Sequence, residues 1–404
     1  NRSAVRQPGH VRQTVLTVDL MHGLRHAAGT IALSGNIDGD RLAVDRMVSH
    51  LRAQLAHLPE DPHLLFSTEV HSTEHVQASR LPATSWMVEE VLEAAKGLDL
   101  VGFLAAGPVY RGFANSFGQR NWHETASFSF DWSLYQSRDK AVKASQAGFD
   151  WDSAAFRAKF DTAKQQLDYL KREAVSVKPG AYRAYLAPAA MFELVGMLNW
   201  DGVSEKSIRT KQSSLRRLRF EGARLHPSFT LCENTVEGLA PGFQSDGFIK
   251  PERVALIEQG ELAGSLISPR TAQEYGIEAN GADGGEAMQS IDLAPGSLPM
   301  ADVLRELDTG IYVSNLWYTN FSDRASCRIT GMTRFASFWV ENGAIKAPLN
   351  VMRFDDSLLR LFGDNLFALT REREMLVDDS TYGGRHTASS RLPGALVKDF
   401  TFVL

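Results

Sequence analysis

A single carboxylate lies within the apolar stretch AAMFELVGMLNW, at residues 189–200. Glu193 has Phe192 before it and Met197 after it, at the spacing where a metal-binding helix carries histidines. Zinc needs N, O or S ligands, so a phenyl ring cannot bind it and a thioether binds it poorly. The pattern is that of a zinc helix without its ligands. Because an unpaired buried carboxylate is costly, we expect Glu193 to have a partner or to face a cleft.

A second candidate for metal chemistry is HSTEH at residues 71–75. It matches the H-x-x-E-H pattern of some zinc peptidases, in which His71 and His75 would share one face of a helix. Ser72 and Thr73 favour extended or turn structure, and a strand-like run precedes the motif. We therefore favour a polar surface segment over a zinc site here.

The third candidate is the polar stretch NFSDRASCRITGMTR at residues 320–334. Asp323, Arg324, Arg328 and Arg334 are candidates for binding an extended peptide, since arginine suits bidentate capture of carboxylates. An internal ion-pair network, such as Asp323 with Arg324 or Arg328, explains the same residues and is slightly favoured.

A basic segment at residues 206–226 has two interpretations. A solvated surface is the default. The functional alternative is contact with peptide carboxylates or with an acidic surface of a partner. The whole chain has a net charge of −5, which argues against a general nucleic-acid binder.

Length and composition predict a soluble globular protein of two domains, since 404 residues are too many for one small core. No apolar run approaches the roughly 20 residues that span a bilayer, so no membrane association is expected. The first 23 residues lack the apolar region of a secretory signal. Cys232 and Cys327 cannot form a disulfide framework. Two lone cysteines fit a reduced, cytoplasmic compartment.

The first part of the chain mixes helix and strand patterns. Apolar residues at helical spacing predict helices over 41–58, 84–98 and 150–172. The last of these has Asp152 or Ser153 as its cap, and the expected buried stripe is Phe156, Phe160, Ala163, Leu167 and Leu170. Strands are predicted at 63–70 and, from alternating Phe, Trp and Leu, at 124–136.

Beyond the VKPG stretch at 177–180, strand and turn signals dominate. A helix over 188–200 is the exception, and its apolar residues on almost every side predict that it is buried. Gln259-Gly260 and Asn342-Gly343 each lie between strand-like runs and predict two tight hairpins. The sequence therefore predicts an α+β protein, with a mixed α/β domain at 1–178 and a β-rich domain at 179–404 that contains the buried helix.

The chain resembles the TldD/PmbA family. The resemblance is carried by YLAPAAMFELVGML, SLRRL, GIYVSNLWYTNFSDRASCRITGMTRFASFWVENGAIKAPLNVMRF and LPGALVKDFTFVL. The TldD-type subunit of that family is a zinc peptidase with His-Glu-x-x-x-His on its helix and a further cysteine ligand near the C-terminus. The PmbA/TldE-type subunit lacks these ligands and pairs with the catalytic one to cleave peptides.

Only one family residue of that site is present. Glu193 matches the glutamate, Phe192 and Met197 replace the histidines, and no cysteine occurs at 378–384. The resemblance implies a metal-free, PmbA/TldE-like subunit without a cofactor of its own, which shapes the cleft and binds unfolded peptide for a zinc-bearing TldD-like partner. A homodimer is the other assembly. Two alternatives stay open: a stand-alone metallopeptidase with a non-standard metal site, and a purely regulatory peptide-binding protein.

Overall fold

The computed structural model describes residues 4–137, 139–378 and 380–403, so Asp379 of the 378–384 stretch lies outside it. The described chain is α+β, with three sheets. Its helices are α1 (Ile37–Leu55), α2 (Thr84–Ala94), α3 (Ser153–Tyr169), α4 (Pro188–Gly196), α5 (Glu205–Arg209), α6 (Arg216–Phe220), α7 (Pro269–Tyr275), α8 (Val303–Leu307) and α9 (Leu358–Leu361), with single 3-10 turns at Met197–Asn199 and Met300–Asp302.

The strands follow the same order along the chain. They are β1 (Val15–His22), β2 (Arg25–Ala32), β3 (Thr73–Val76), β4 (Asp99–Ala114), β5 (Arg120–Ser137), β6 (Lys140–Gly148), β7 (Gly180–Leu186), β8 (Leu231–Asn234), β9 (Arg253–Glu258), β10 (Glu261–Leu262), β11 (Ser290–Leu293), β12 (Gly310–Asp323), β13 (Arg328–Glu341), β14 (Ala344–Pro348), β15 (Arg353–Ser357), β16 (Leu366–Val377) and β17 (Ser389–Phe402).

The first sheet is the β1–β2 hairpin, and α1 packs on it. The Asn36 side chain accepts a hydrogen bond from the Gly39 backbone and caps α1. The helix predicted over 41–58 is confirmed, although it begins earlier. Leu51 is its only fully buried residue, because a two-stranded sheet offers little surface to cover it.

The second sheet has β5 at its centre. β4 pairs along one edge of β5, while β3 and β6 share the other edge. Alternate side chains from the second half of β5 pack against α2 and α3 in an aromatic core. α3 is confirmed as predicted: Asp152 accepts hydrogen bonds from two backbone amides of its first turn, and the whole expected stripe is buried.

The strand predicted at 63–70 is wrong. Residues 64–68 form no regular strand, and the Ser67 amide donates instead to the carbonyl of Asp246, in a loop of the second half of the chain. Long-range packing therefore decides the backbone of this segment, which its local apolar residues cannot report.

The third sheet has eleven strands and holds the largest core. Within it, β7, β12, β13, β15 and β17 form a closed ring, because β17 pairs with both β15 and β7. β8 to β11 extend the sheet beyond β17. The two predicted hairpins are confirmed: Gln259, Gly260, Asn342 and Gly343 all have positive φ, as a two-residue turn of this kind requires.

The two halves of the chain meet through apolar side chains. Ala336 and Phe338 of β13 belong to the aromatic core of the second sheet. The predicted boundary at residues 178–179 falls in the connection between α3 and β7 and stays a prediction. Among the described helices, none combines the length and the apolar character needed to cross a bilayer.

Candidate functional site

α4 begins where β7 leaves the closed ring. The backbone N–H of Ala187 donates to the carbonyl of Val313 on β12 (3.0 Å), and Pro188 occupies the first turn of the helix. From there α4 lies against β12 and β17. Its inner face is buried in the core of the large sheet, and the residues involved are Ala190, Met191, Leu194 and Val195, continued by Met197 and Leu198 in the 3-10 turn.

The opposite face of α4 is open, which corrects the expectation of a helix buried on almost every side. Phe192, Glu193 and Gly196 are only partly buried, and the Trp200 side chain that follows is 48% exposed. A side chain added at Gly196 would meet no atom within 4 Å, so the space above it is free. Phe192 still packs against the core of the large sheet, so this face is partly buried rather than fully buried.

Glu193 is the only ionisable residue on this open face. The Thr319 hydroxyl on β12 donates a hydrogen bond to its Oε2 (3.4 Å). Burial raises the pKa of the Glu193 carboxyl above the usual value for glutamate, while the Thr319 hydrogen bond and the positive charge of Lys143 on β6 oppose that rise. The site thus combines residues from three elements that lie far apart in the sequence.

β12 is irregular where it passes α4. Its pairing with β13 shifts register between Val313 and Asn315, and again between Trp317 and Asn320. Tyr318 has φ 58° and Phe335 on β13 has φ 60°, a left-handed backbone that bulky residues rarely adopt. Such bulges re-aim side chains and concentrate at functional sites. Here they leave the Tyr318 side chain 75% exposed beside Thr319.

Aromatic rings and arginines line the surface around the bulges. Trp200 and Phe321 approach edge-on, with ring centroids 6.4 Å apart. The Arg324 guanidinium lies 5.0 Å from the Phe321 ring, and the Arg334 guanidinium lies 4.0 Å from the Trp317 ring. Such a surface offers stacking and hydrogen-bond donors to an extended chain.

The four residues predicted to bind substrate do not form one cluster. Asp323 accepts hydrogen bonds from Ser326 and Ala325 at the tip of the β12–β13 hairpin, and these bonds hold the pKa of its carboxyl below the usual value. Arg324 and Arg328 lie at the same tip. Arg334 lies six residues further along β13 than Arg328, about 20 Å away.

The ion pairs near the tip are not those that the sequence suggested. Arg324 pairs with Asp201 (2.9 Å) and Arg328 pairs with Asp355, so neither uses Asp323. Asp201 and Asp355 come from distant parts of the chain, and sequence spacing alone cannot pair them. These two arginines therefore fasten the hairpin tip to its neighbours.

The HSTEH motif is not helical. His75 lies on β3 and stacks on His123 of β5 with ring centroids 5.0 Å apart, while His71 precedes the strand and lies 3.6 Å from Glu69. The two histidines of the motif therefore share no helical face. Among residues 4–137, 139–378 and 380–403, no three His, Cys, Asp or Glu side chains are grouped so that they could hold a metal ion.

The basic segment at 206–226 is partly neutralised by ion pairs. Within the described residues, four of its seven lysines and arginines pair with glutamates. The pairs are Lys206–Glu274, Arg209–Glu205, Arg217–Glu221 and Arg224–Glu261. This arrangement favours the solvated-surface interpretation over a free cationic patch.

The sequence reasoning missed Thr319, Lys143 and the bulges. The clearest local signal is the unusual polarity of β12 after Leu316, where a core strand would continue with apolar alternation. Lys143 carried no signal, because only the packing of β6 brings it near α4.

A family model for the PmbA/TldA metallopeptidase C-terminal domain matches residues 179–403, more than half of the chain. The chain belongs to the PmbA/TldD family. The metalloprotease PmbA of Escherichia coli O157:H7 is 28% identical over 198 residues, which are 47% of this chain and 41% of that protein. The match thus spans less than half the length of this curated relative.

Solved structures show the same fold over the whole chain. TldE from Thermococcus kodakarensis has a TM-score of 0.74 at 13% identity, over 96% of this chain and 90% of that one. A protein from Thermotoga maritima described as a putative modulator of a DNA gyrase has a TM-score of 0.74 at 12% identity. The match covers 100% of this chain and 92% of that one. At these identities the likeness to the solved structures concerns the fold alone.

The zinc ion implied by a metallopeptidase family does not fit the ligands that α4 offers. Such a site needs about three N, O or S ligands. The Phe192 ring has no lone pair to donate, and Met197 is 2% exposed, in the core beneath the helix. Glu193 is the one oxygen donor on the open face.

Proposed function

We propose that this PmbA/TldD protein is a metal-free, TldE-like subunit of a peptidase assembly, which binds unfolded peptide and shapes the cleft in which a zinc-bearing, TldD-like subunit cleaves it. The observation that carries the proposal is the composition of α4 and the 3-10 turn that follows it. It keeps the family glutamate, Glu193, but Phe192 and Met197 stand where zinc ligands would be needed.

The surface beside this face is suited to an extended chain. Tyr318 and Thr319 have no paired residue on β13, so the ladder is interrupted where the surface opens. Exposed rings of Trp200, Trp317 and Tyr318 offer sequence-tolerant apolar contact. A peptide lying along β12 would bind through backbone hydrogen bonds and these rings, the usual mode of strand-like recognition.

Glu193 has a supporting role in this proposal rather than a catalytic one. Burial that raises the pKa of its carboxyl favours the protonated form, which can donate a hydrogen bond to a peptide carbonyl as well as accept one from Thr319. Without a metal to activate water, the chain supplies binding and orientation.

Native mass spectrometry of the chain co-purified with a TldD-type chain tests the proposal. We expect a specific complex with zinc only in the partner, and peptidase activity that needs both chains. The isolated chain should contain no stoichiometric zinc by elemental analysis. Stoichiometric zinc, lost together with activity in His71→Ala or His75→Ala, would instead establish a stand-alone enzyme. Failure to retain or reconstitute any zinc-binding relative would overturn the subunit role.

A further inference from the structure

Arg334 is held in place by aromatic rings instead of carboxylates. Its guanidinium lies 4.0 Å from the Trp317 ring and 5.1 Å from the Phe335 ring, and the side chain is half-buried. Over the three described ranges, no carboxylate lies within ion-pair distance of it and no oxygen accepts its N–H groups. All five of its donors are therefore available on a pre-oriented fork.

Other stacked arginines of the chain are engaged. Arg183 lies 4.6 Å from the Phe367 ring but donates to the Glu306 carbonyl (2.8 Å). Arg172 lies 4.6 Å from the Tyr169 ring and donates to two carbonyls on β14. Stacking alone thus does not account for the unused donors of Arg334.

A second unsatisfied group lies beside Arg334. Asn315 of β12 is the cross-strand partner of Arg334, so the two side chains project from the same face of the sheet. Asn315 is only 9% exposed, yet its Oδ1 has no hydrogen-bond partner within the described residues. A buried polar atom without a partner is costly, and a bound ligand can satisfy it.

The two groups together match one piece of peptide chemistry. A guanidinium fork binds a carboxylate through two parallel hydrogen bonds, and an amide oxygen accepts a backbone N–H. A carboxylate close to an N–H occurs at the C-terminal residue of a peptide and at an internal Asp or Glu. We propose that Arg334 and Asn315 form a subsite that binds a peptide carboxylate and its adjacent N–H, a specificity determinant that rests on the proposed peptide-binding function.

The subsite is placed to set the position of the bound peptide. Asn315 and Thr319 are four residues apart on β12, a distance of at most about 13 Å, because the bulge at Tyr318 shortens the strand between them. A peptide anchored at Arg334 therefore passes Glu193 within about four residues of its carboxylate. The carboxylate selects which peptide bonds reach the open face of α4.

The test compares three forms of one short, unstructured peptide that is composed of Gly, Ser and Leu and carries a fluorophore at its N-terminus. They are the free acid, the C-terminal amide, and the amide with Glu as its last residue. Fluorescence anisotropy with the purified full chain should show that the free acid binds about tenfold more tightly than the amide. If the Glu-containing amide binds as tightly as the free acid, the subsite binds any peptide carboxylate. If it binds only as tightly as the plain amide, the subsite is specific for the C-terminal carboxylate.

The variants attribute this difference to Arg334. Arg334→Met should remove the preference for the acid, while Arg183→Met, the matched stacked arginine, should keep the preference. Arg334→Lys retains the positive charge without the planar fork and should keep only part of the preference for the acid. This second variant tests the subsite even if Arg334→Met does not fold.

The outcomes separate the subsite from the broader function. Equal binding of acid and amide to the unmodified chain overturns the subsite and leaves peptide binding intact. A preference that survives Arg334→Met also overturns it. No binding of any of the three peptides overturns both.

Discussion

Two long strand pairs of this protein are built in opposite ways. β4 and β5 pair without interruption from Asp99 opposite Tyr135 to Ala114 opposite Arg120. β12 and β13 pair with three register shifts, and each contains an aromatic residue with positive φ. The regular pair supports an aromatic core, whereas the irregular pair borders the open face of α4. The difference indicates that the chain keeps backbone regularity where it needs stability and gives it up where side chains must be presented.

The regular pair itself serves two environments. The second half of β5 turns apolar rings toward α2 and α3. Its first half carries buried polar side chains instead, and these are Asn121, His123, Thr125 and Ser127, with buried Gln119 just before the strand. Hydrogen bonds from Gln119 to the Gly247 carbonyl and from Arg385 to the Ser127 carbonyl connect the two halves of the chain. Burial and nearby positive charge lower the pKa of His123 in this contact.

The largest effect is expected in the aromatic core. Trp132 is fully buried and stacks on Phe130, with centroids 4.7 Å apart. Trp132→Ala should lower the free energy of unfolding by about 3–5 kcal/mol, measured by urea denaturation followed by circular dichroism. Trp132→Phe is the control: the indole N–H has no partner within the described residues, so a smaller ring loses contacts but no hydrogen bond. A loss below about 1 kcal/mol for the alanine variant would contradict the assigned role of this core.

A smaller effect is expected at the bulge. Because Tyr318 has φ 58° and is mostly exposed, Tyr318→Gly should be more stable than Tyr318→Ala by about 1 kcal/mol. At Ser133, in the regular part of β5, the order should reverse, with glycine less stable than alanine by about 0.5–1 kcal/mol. Thermal and urea denaturation of the four variants would test the contrast. If Tyr318→Ala is as stable as Tyr318→Gly or more stable, the bulge stores no backbone strain.

The smallest effect concerns Glu193. When a carboxyl has a higher pKa in the folded state than in the unfolded state, the protein loses stability as the pH rises through the folded-state pKa. The reason is that the carboxyl must then carry a negative charge while buried. Glu193→Gln should therefore raise the melting temperature at pH 7–8 by on the order of 1 °C, and this gain should vanish below the usual pKa of glutamate. Differential scanning calorimetry across pH 4 to 8 measures it. A gain that grows toward acid pH would reverse the assigned sign.

Local patterns predicted the parts of the fold that local interactions decide. The cap at Asp152, the stripe of α3 and the turns at Gln259-Gly260 and Asn342-Gly343 each depend on neighbouring residues only. The missing strand at 64–68 and the partners of Arg324 and Arg328 depend on residues more than 25 positions away. Periodicity carries no information about such partners.

Of the candidate site, the sequence predicted Glu193 and Arg334. Glu193 stood out because a lone carboxylate in an apolar helix must be accounted for, and Arg334 stood out by its chemistry. Thr319, Asn315 and Lys143 reach the site through register and packing. The open face of α4 was predicted to be buried because the spacing of apolar side chains does not distinguish full burial from partial burial.

Ring closure through β17 sets an order of events during synthesis. β7 is made about 200 residues before β17, its antiparallel neighbour, and ribosomes add roughly 5–20 residues per second. For about 10 to 40 seconds, therefore, β7 and the apolar face of α4 are not yet covered by β17. The second sheet, whose strands are close together in sequence, can fold in that interval. The nascent chain would then combine a largely folded second sheet with an incomplete large sheet that exposes apolar side chains, a form that chaperones are expected to recognise.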